Sequence, residues 1–168
     1  MWLTPEKLIF RFFRGFHSVF LHVINMIDIS DKQITKRTAQ AEGMVVFSPQ
    51  AYKILLKQGS PKGNVLETAK IAGIMAAKHT PSLIPLCHPL FIEKVSVTFE
   101  MLRSKKTVKV VSEVSSSGKT GVEMEALSAV SAACLTIYDM MKFAGQDITI
   151  TGIRLMHKSG GKSGVYNR

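Results

Sequence analysis

The stretch GVEMEALSAVSAACLTIYDMMK spans Gly121–Lys142, and from Val122 to about Phe143 neither proline nor glycine interrupts it. An uninterrupted run of that length in helix-tolerant residues predicts one long α-helix. Its middle is small: Ala126, Ser128, Ala129, Ala132 and Ala133 let it lie tight against a sheet or a second helix. Glu123 and Glu125 stand near its start, where carboxylates suit the helix dipole. Asp139 and Lys142 are three apart near its end and share a face. Fourteen residues separate Glu125 from Asp139, which is about 21 Å at the α-helical rise. One small substrate cannot touch both within one subunit. Either one of these acids is structural, or two subunits bring opposite ends of this helix to a shared site.

Working outward, Val95, Val97 and Phe99 alternate with polar residues and predict a strand with one buried face. RSKK (Arg103–Lys106) makes a turn, and Val108 and Val110 start the second strand of a hairpin. SSSGKTG (Ser115–Gly121) reads as a loop into the long helix. Beyond that helix, DITITGIRLMHK (Asp147–Lys158) reads as a last strand, with Gly152 marking a bulge or kink. On the other side, MVVF (Met44–Phe47) is a short strand. Ser48 as N-cap, Pro49 at the first helical position and Gly59 at the exit frame a helix over Pro49–Gln58. Asn64 with Glu67 resembles a capping box and opens a helix running to about Lys78, ended by Thr80–Pro81. Ile27–Gly43 reads as a polar, irregular arm with a short strand near Ile27–Ile29. With its two neighbouring helices merged, the order is β-α-β-β-α-β. That is an α+β, ferredoxin-like split βαβ pattern, with an antiparallel sheet and helices on one face.

The totals suit this size of fold. The chain has 168 residues, 46% of them hydrophobic and 20% charged, which supports a packed core rather than disorder. A net charge of +10 favours anionic partners without choosing among nucleic acid, phosphorylated small molecules and acidic lipid. Two cysteines, Cys87 and Cys134, point to a reducing, cytoplasmic setting. No charge-free run of eighteen apolar residues marks a transmembrane helix, so no membrane partner is expected. Leu8–Ile27 is Phe-rich, with Arg11 and Arg14 and no acid. Its composition resembles a transit peptide or an interfacial helix. Against a signal peptide, its arginines fall inside the apolar region and no A-x-A site follows; packing on its own protein or on a sister subunit is the expectation.

Phosphate loops are the first chemistry to test in a basic chain with GKT and GKS. A Walker loop needs a glycine five residues before its Gly-Lys. Glu113 and Met156 occupy those positions, so both fail. KSGGKSG (Lys158–Gly164) can still present backbone N–H groups and charge to a phosphate, the plain alternative being a flexible tail. LIPLCHPL (Leu83–Leu90) sets Cys87 beside His88. Adjacent Cys and His do not match zinc-ligand spacing, and no partner pair lies nearby, so no metal site is expected. Alternation along an extended segment sends Cys87 inward and His88 toward an opening. An acid and a base in a mostly apolar segment, as with Asp139 and Lys142, must be solvated or paired.

Four stretches, KGNVLETAKIAGIMAAKHT, LIPLCHPL, GKTGVEMEALSAVSAACLTIYDMMK and KSGGKSG, together resemble the successive motifs of the MoaC family. MIDIS and KRTAQAEG match the front of the family pattern, so the resemblance covers Met26 to Gly164. It implies a lyase of molybdenum cofactor (molybdopterin) biosynthesis. Such an enzyme converts 3′,8-cyclo-7,8-dihydro-GTP, supplied by a radical-SAM GTP cyclase, to cyclic pyranopterin monophosphate with release of pyrophosphate. It also implies a ferredoxin-like fold in a homohexamer, a trimer of dimers, with sites at a dimer interface. Residue by residue, it implies catalytic roles for Lys62, His88, Asp139 and Lys142. Substrate contacts are implied from Leu86, Cys87, His88, Met124, Glu125, Glu123, Lys158 and Arg37. Lys142 is expected to be the acid of the Asp–Lys pair if burial lowers its pKa. No cofactor is implied; the triphosphate leaves room for a divalent cation such as Mg2+. Met1–Asn25 does not match the family and is set apart from the catalytic domain at 26–168, with little order or a peripheral role expected for Met1–Arg14. At the other end the chain departs from the family after KSGGKSG, which leaves open how the tail closes the site. The competing reading is a basic ferredoxin-like RNA-binding module, which needs aromatics on a central strand. EKVSVTFEM and KTVKVVSEV offer only Phe99.

Overall fold

A computed structural model describes residues 24–168; the expectations for Met1–Val23 lie outside the described residues. Among those described, the strands are β1 (Thr35–Val46), β2 (Lys94–Leu102), β3 (Thr107–Gly118), β4 (Thr149–Ser159) and the short β5 (Tyr166–Asn167). They form one sheet of order β2-β3-β1-β4-β5, every pair antiparallel. The helices are α1 (Pro49–Lys57), α2 (Val65–Lys78), the single turn α3 (Thr80–Leu83) and α4 (Glu123–Met141). β1 reaches β2 through α1–α3, leaving room for β3 between them. β3 reaches β4 through α4, with β1 between.

One sheet face carries the helices. Ala39, Ala41 and Val45 of β1, Val97 of β2, and Val108, Val110 and Val114 of β3 meet Ala126, Ala129, Val130, Ala133 and Ile137 of α4. The small helix residues permit very close packing. A Cβ placed on Gly43 would stand 2.6 Å from Val130 Cγ1, and one on Gly73 of α2 would stand 2.9 Å from the Ala129 carbonyl oxygen. Ser112 is fully buried on the same face and donates to Ala126 O at 2.7 Å. By length and composition Glu123–Ala144 is apolar enough to cross a membrane; here its inner face closes the core instead.

Two boundaries differ from the sequence reading. β1 begins at Thr35 and absorbs most of the supposed irregular arm, while Ile27–Ile29 is not a strand. β3 continues through Ser115–Gly118, where the sequence predicts a loop. In both places the inward residues are Ala or Ser, so alternation is present in the backbone but nearly invisible in hydropathy. The other frames match closely: the Ser48 side chain accepts from Ala51 N–H, and Asn64 accepts from Leu66 and Glu67 N–H.

The topology sorts the molecule into two ends. The C-termini of β1 and β2, the N-termini of β3 and β4, the start of α2 and the end of α4 share one end. The start of β1, the ends of β3 and β4, and the start of α4 share the other.

A candidate active site in two halves

At the second end two cavities adjoin. The first, of about 370 Å³, is lined by Asn25, Ile27 and Ile29 from the arm, Leu86, Cys87, His88 and Leu90, and Glu123, Met124 and Glu125 of α4. The second, of about 200 Å³, is lined by Lys32, Arg37, Lys119, Lys158 and Lys162, with Thr38, Ser159 and Ser163. Lys32, Thr120, Gly121 and Glu123 belong to both, so the two form one cleft with an apolar half and a cationic half.

In the apolar half Glu125 is only 3% exposed. Burial pushes its carboxyl above the ordinary range, and the charge of Glu123 adds to the shift. His88 Nε2 lies 2.8 Å from the Ile27 carbonyl oxygen, so that nitrogen donates and the arm orients the ring. Cys87 lines the same cavity as His88, against the expectation from alternation. A turn through Ile84–Leu86, with Cys87 N–H bonded to Ile84 O at 3.1 Å, precedes the pair, so strand alternation does not apply. Burial and the neighbouring Glu125 raise the Cys87 thiol, which keeps it protonated and a poor nucleophile. Cys134, in the core, is pushed up to about 12 by burial.

The cationic half is built by strand register. Arg37 on β1 donates to Gly118 O of β3 at 3.3 Å, and its guanidinium lies across Gly160 and Gly161. A Cβ on Gly161 would coincide with that guanidinium, and Gly160 and Gly161 both have positive φ (93° and 76°), so only glycine fits this turn. The supposed flexible tail is a hairpin. β5 pairs with His157 and Lys158, and Arg168 N–H bonds to Met156 O at 3.0 Å. This holds Lys162 and Ser163 at the rim. Lys158 Nζ donates to Glu123 Oε1 at 3.0 Å. Lys119 Nζ donates to Ser30 O at 2.6 Å, tying the arm down.

Lys62, Asp139 and Lys142 are at the opposite end. Asp139 gives one oxygen to each ammonium group, Oδ2 to Lys62 Nζ at 2.6 Å and Oδ1 to Lys142 Nζ at 2.9 Å. The loop carrying Lys62 is pinned there. Ser60 Oγ donates to Met140 O at 2.7 Å and accepts from Lys62 N–H at 3.2 Å, and Asn64 caps α2 just beyond. The two lysines hold Asp139 at about 2. Asp139 in turn raises Lys142, which is more than half exposed. The pairing with Asp139 outweighs the small effect of burial, so the condition for a lowered Lys142 is not met and it is a firmly protonated ammonium.

The structure thus gathers Leu86, Cys87, His88, Met124, Glu125, Glu123, Lys158 and Arg37 at one end. It separates them from Lys62, Asp139 and Lys142. Sequence reasoning missed Lys32 and Lys119, and reached Lys162 only as part of a possible phosphate-binding loop. The GKT and GGKSG loops that carry the last two fail the Walker pattern, yet their lysines still reach the cleft. It also missed Glu42, 4% exposed, which is held by Arg154 at 2.6 and 2.9 Å and by Lys109 at 2.9 Å. Among the described residues no group of three or more His, Cys, Asp or Glu is placed to hold a metal ion.

A family model described as the MoaC family matches residues 26–161. The chain is 54% identical over 142 residues to a cyclic pyranopterin monophosphate synthase of Methylobacterium sp. (strain 4-46), covering 84% of this chain and 89% of that protein. It is 53% identical over 141 residues to the protein of the same name from Parvibaculum lavamentivorans, covering 84% and 88%. The like-named protein of Oleidesulfovibrio alaskensis is 52% identical over 143 residues, covering 85% and 90%.

Proposed function

Since the chain belongs to the MoaC family, we propose that it is a cyclic pyranopterin monophosphate synthase, a lyase that takes the cyclised GTP intermediate to cyclic pyranopterin monophosphate and pyrophosphate in molybdenum cofactor biosynthesis. One observation carries the reading: a single cleft joins a half that suits a nucleobase to a half that suits a triphosphate. Glu125 and His88 offer hydrogen-bonding groups in the first half. Arg37, Lys32, Lys119, Lys158 and Lys162 supply charge in the second.

The substrate's demands fit these groups. Opening and rebuilding the guanine ring needs proton transfers at positioned atoms. A sugar hydroxyl oxygen then attacks the α-phosphorus, the bond from that phosphorus to the bridging oxygen breaks, and pyrophosphate leaves with the electron pair. Cationic side chains stabilise the charge that develops on it. Lys62 and Lys142, each hydrogen-bonded to Asp139, act as ammonium donors. Their distance from the cleft supports a shared site, in which one subunit supplies Lys62, Asp139 and Lys142 and its neighbour supplies the cleft. The homohexamer, a trimer of dimers, is the assembly that fits. The connectivity, with each crossover skipping one strand, supports a ferredoxin-like classification. A resident cofactor has no part in this reading, and a divalent cation such as Mg2+ would travel with the triphosphate. Cytoplasmic location accords with two free thiols, and the upstream partner is the radical-SAM cyclase that makes the substrate.

The test is incubation with the cyclised GTP intermediate, following cyclic pyranopterin monophosphate and pyrophosphate together. Lys62→Ala and Lys142→Ala proteins that fold should each lose at least about 100-fold in kcat. Turnover at the wild-type rate by either would remove that residue from the reaction.

A further inference from the structure

Among the described residues lining the cationic cavity, Glu123 is the one carboxylate facing five cationic side chains. An acid there opposes the binding of phosphates, yet its position is specifically accommodated. Its carboxylate folds back over Gly121, in the volume that a Cβ on that residue would fill. From there Oε1 takes a hydrogen bond from Lys158 Nζ at 3.0 Å, with both side chains 28% exposed. The backbone of Lys158 is fixed on both sides, by Ala39 of β1 and Tyr166 of β5, so only its side chain can change partner. Glu123 also lines the adjoining apolar cavity beside Glu125. It can therefore withdraw from Lys158 without leaving the cleft.

Building on the proposed function, we infer that Glu123 is an internal anion that competes with substrate phosphates for Lys158 and so promotes release of pyrophosphate. In the empty cleft Glu123 occupies the ammonium group. The incoming triphosphate, with more charge and several partners, displaces it. Once the bond at the α-phosphorus is broken, pyrophosphate keeps fewer tethers, and Glu123 recaptures Lys158 as the product leaves. Glu123 is a positioning residue in this scheme, acting through Lys158.

The experiment is calorimetric titration of inorganic pyrophosphate into wild type, Glu123→Gln, Lys158→Met and the double variant, with steady-state kinetics on the cyclised GTP intermediate in parallel. Glu123→Gln should bind pyrophosphate roughly tenfold tighter, since removing one nearby unit charge is worth about that much at partly exposed sites. Its KM and kcat should fall together, with a burst of cyclic product before a slower steady state. In the Lys158→Met background the same change should give only a small fraction of that gain, the remainder left by the lost charge alone. Glu123→Asp, one methylene short of Lys158, should shift affinity in the same direction and serves if the glutamine protein folds poorly. Unchanged or weaker pyrophosphate binding in Glu123→Gln overturns the inference, as does an equal gain without Lys158. A wild type that fails to turn over the intermediate, while Glu123→Gln still binds pyrophosphate more tightly, would instead remove the proposed function and leave the anion competition standing.

Discussion

Asp139 stands between two ammonium groups, and its carboxyl is held at about 2 while Lys142 is raised. The signs are opposite at the two limits. The depressed acid gives its stabilisation above the unfolded value near 3.8 and loses it as pH falls toward 2. The raised lysine gives its share below 10.5 and loses it as pH climbs past that. Between roughly pH 4 and 10 Asp139 and Lys142 each keep one charge state, so neither gives a limb of the pH–rate profile between about 5 and 9. Asp139→Asn should lower kcat at least about 100-fold at every pH in that window, with little change in Tm because the trio is half exposed. Glu125 behaves in the reverse sense. Its buried carboxyl is raised, so the fold is penalised as pH rises above the unfolded value near 4.5. Glu125→Gln should melt higher than wild type at about pH 7, converge with it below pH 4.5, and lose turnover; thermal melts across pH check the first two. Asp139 and Lys142 were legible in the sequence because an acid and a base three apart on a helix must pair. The family resemblance named Lys62 as well, but its pairing with Asp139 was not legible, since Lys62 comes from 77 residues away and the Ser60–Met140 bond helps bring its loop there.

Elements here were legible wherever side chains were large. The Val95–Phe99 and Val108–Val110 alternation, the Ser48–Pro49 and Asn64 caps and the unbroken run of α4 all announce themselves. The first half of β1 and the last third of β3 do not. Burial in and beside those stretches falls on Ala39, Ala41, Ser112 and Ser116, and the two serine hydroxyls are satisfied by Ala126 O and Phe91 O. Those small residues exist because α4 and α2 lie so close. Gly73→Ala would press a methyl group on the Ala129 carbonyl, which cannot move as a side chain would. Its gain in helix propensity offsets only part of the clash. The expected net cost is about 1–2 kcal/mol, read as a drop of roughly 2–8 °C in Tm. Gly161→Ala acts on the site rather than the core. It evicts the Arg37 guanidinium and strains a positive φ, so pyrophosphate binding should weaken at least about tenfold, with a Tm loss of only a few degrees.

Across the whole molecule, the length of α4 decides how a site using both of its ends would be built: if Glu125 and Asp139 act on one substrate, two subunits supply them. Glu125 and Asp139 sit fourteen residues apart on it and cannot reach one small substrate, and that much is legible in the sequence. What the sequence could not convey is the convergence of the cationic cleft, because Lys32, Lys119, Lys158 and Lys162 meet only through the β1–β3, β1–β4 and β4–β5 registers. The shared-site arrangement predicts complementation. His88→Ala and Asp139→Ala proteins, each inactive alone, should regain activity when unfolded and reassembled together. Random pairing leaves about a quarter of the interfacial sites with both wild-type halves, so about a quarter of wild-type turnover is the expected ceiling. No recovery would confine the chemistry to one subunit. A further consequence lies in α4 itself, whose two ends serve two different sites in such an assembly. The helix is then a measuring rod. One residue inserted at its middle would turn one end by about 100° against the other and lengthen the rod by about 1.5 Å, misaligning every site in the particle at once. Strain imposed by a nucleotide at one end would likewise be carried along a rigid strut to the neighbouring site, a ready route for one active site to sense the occupancy of the next.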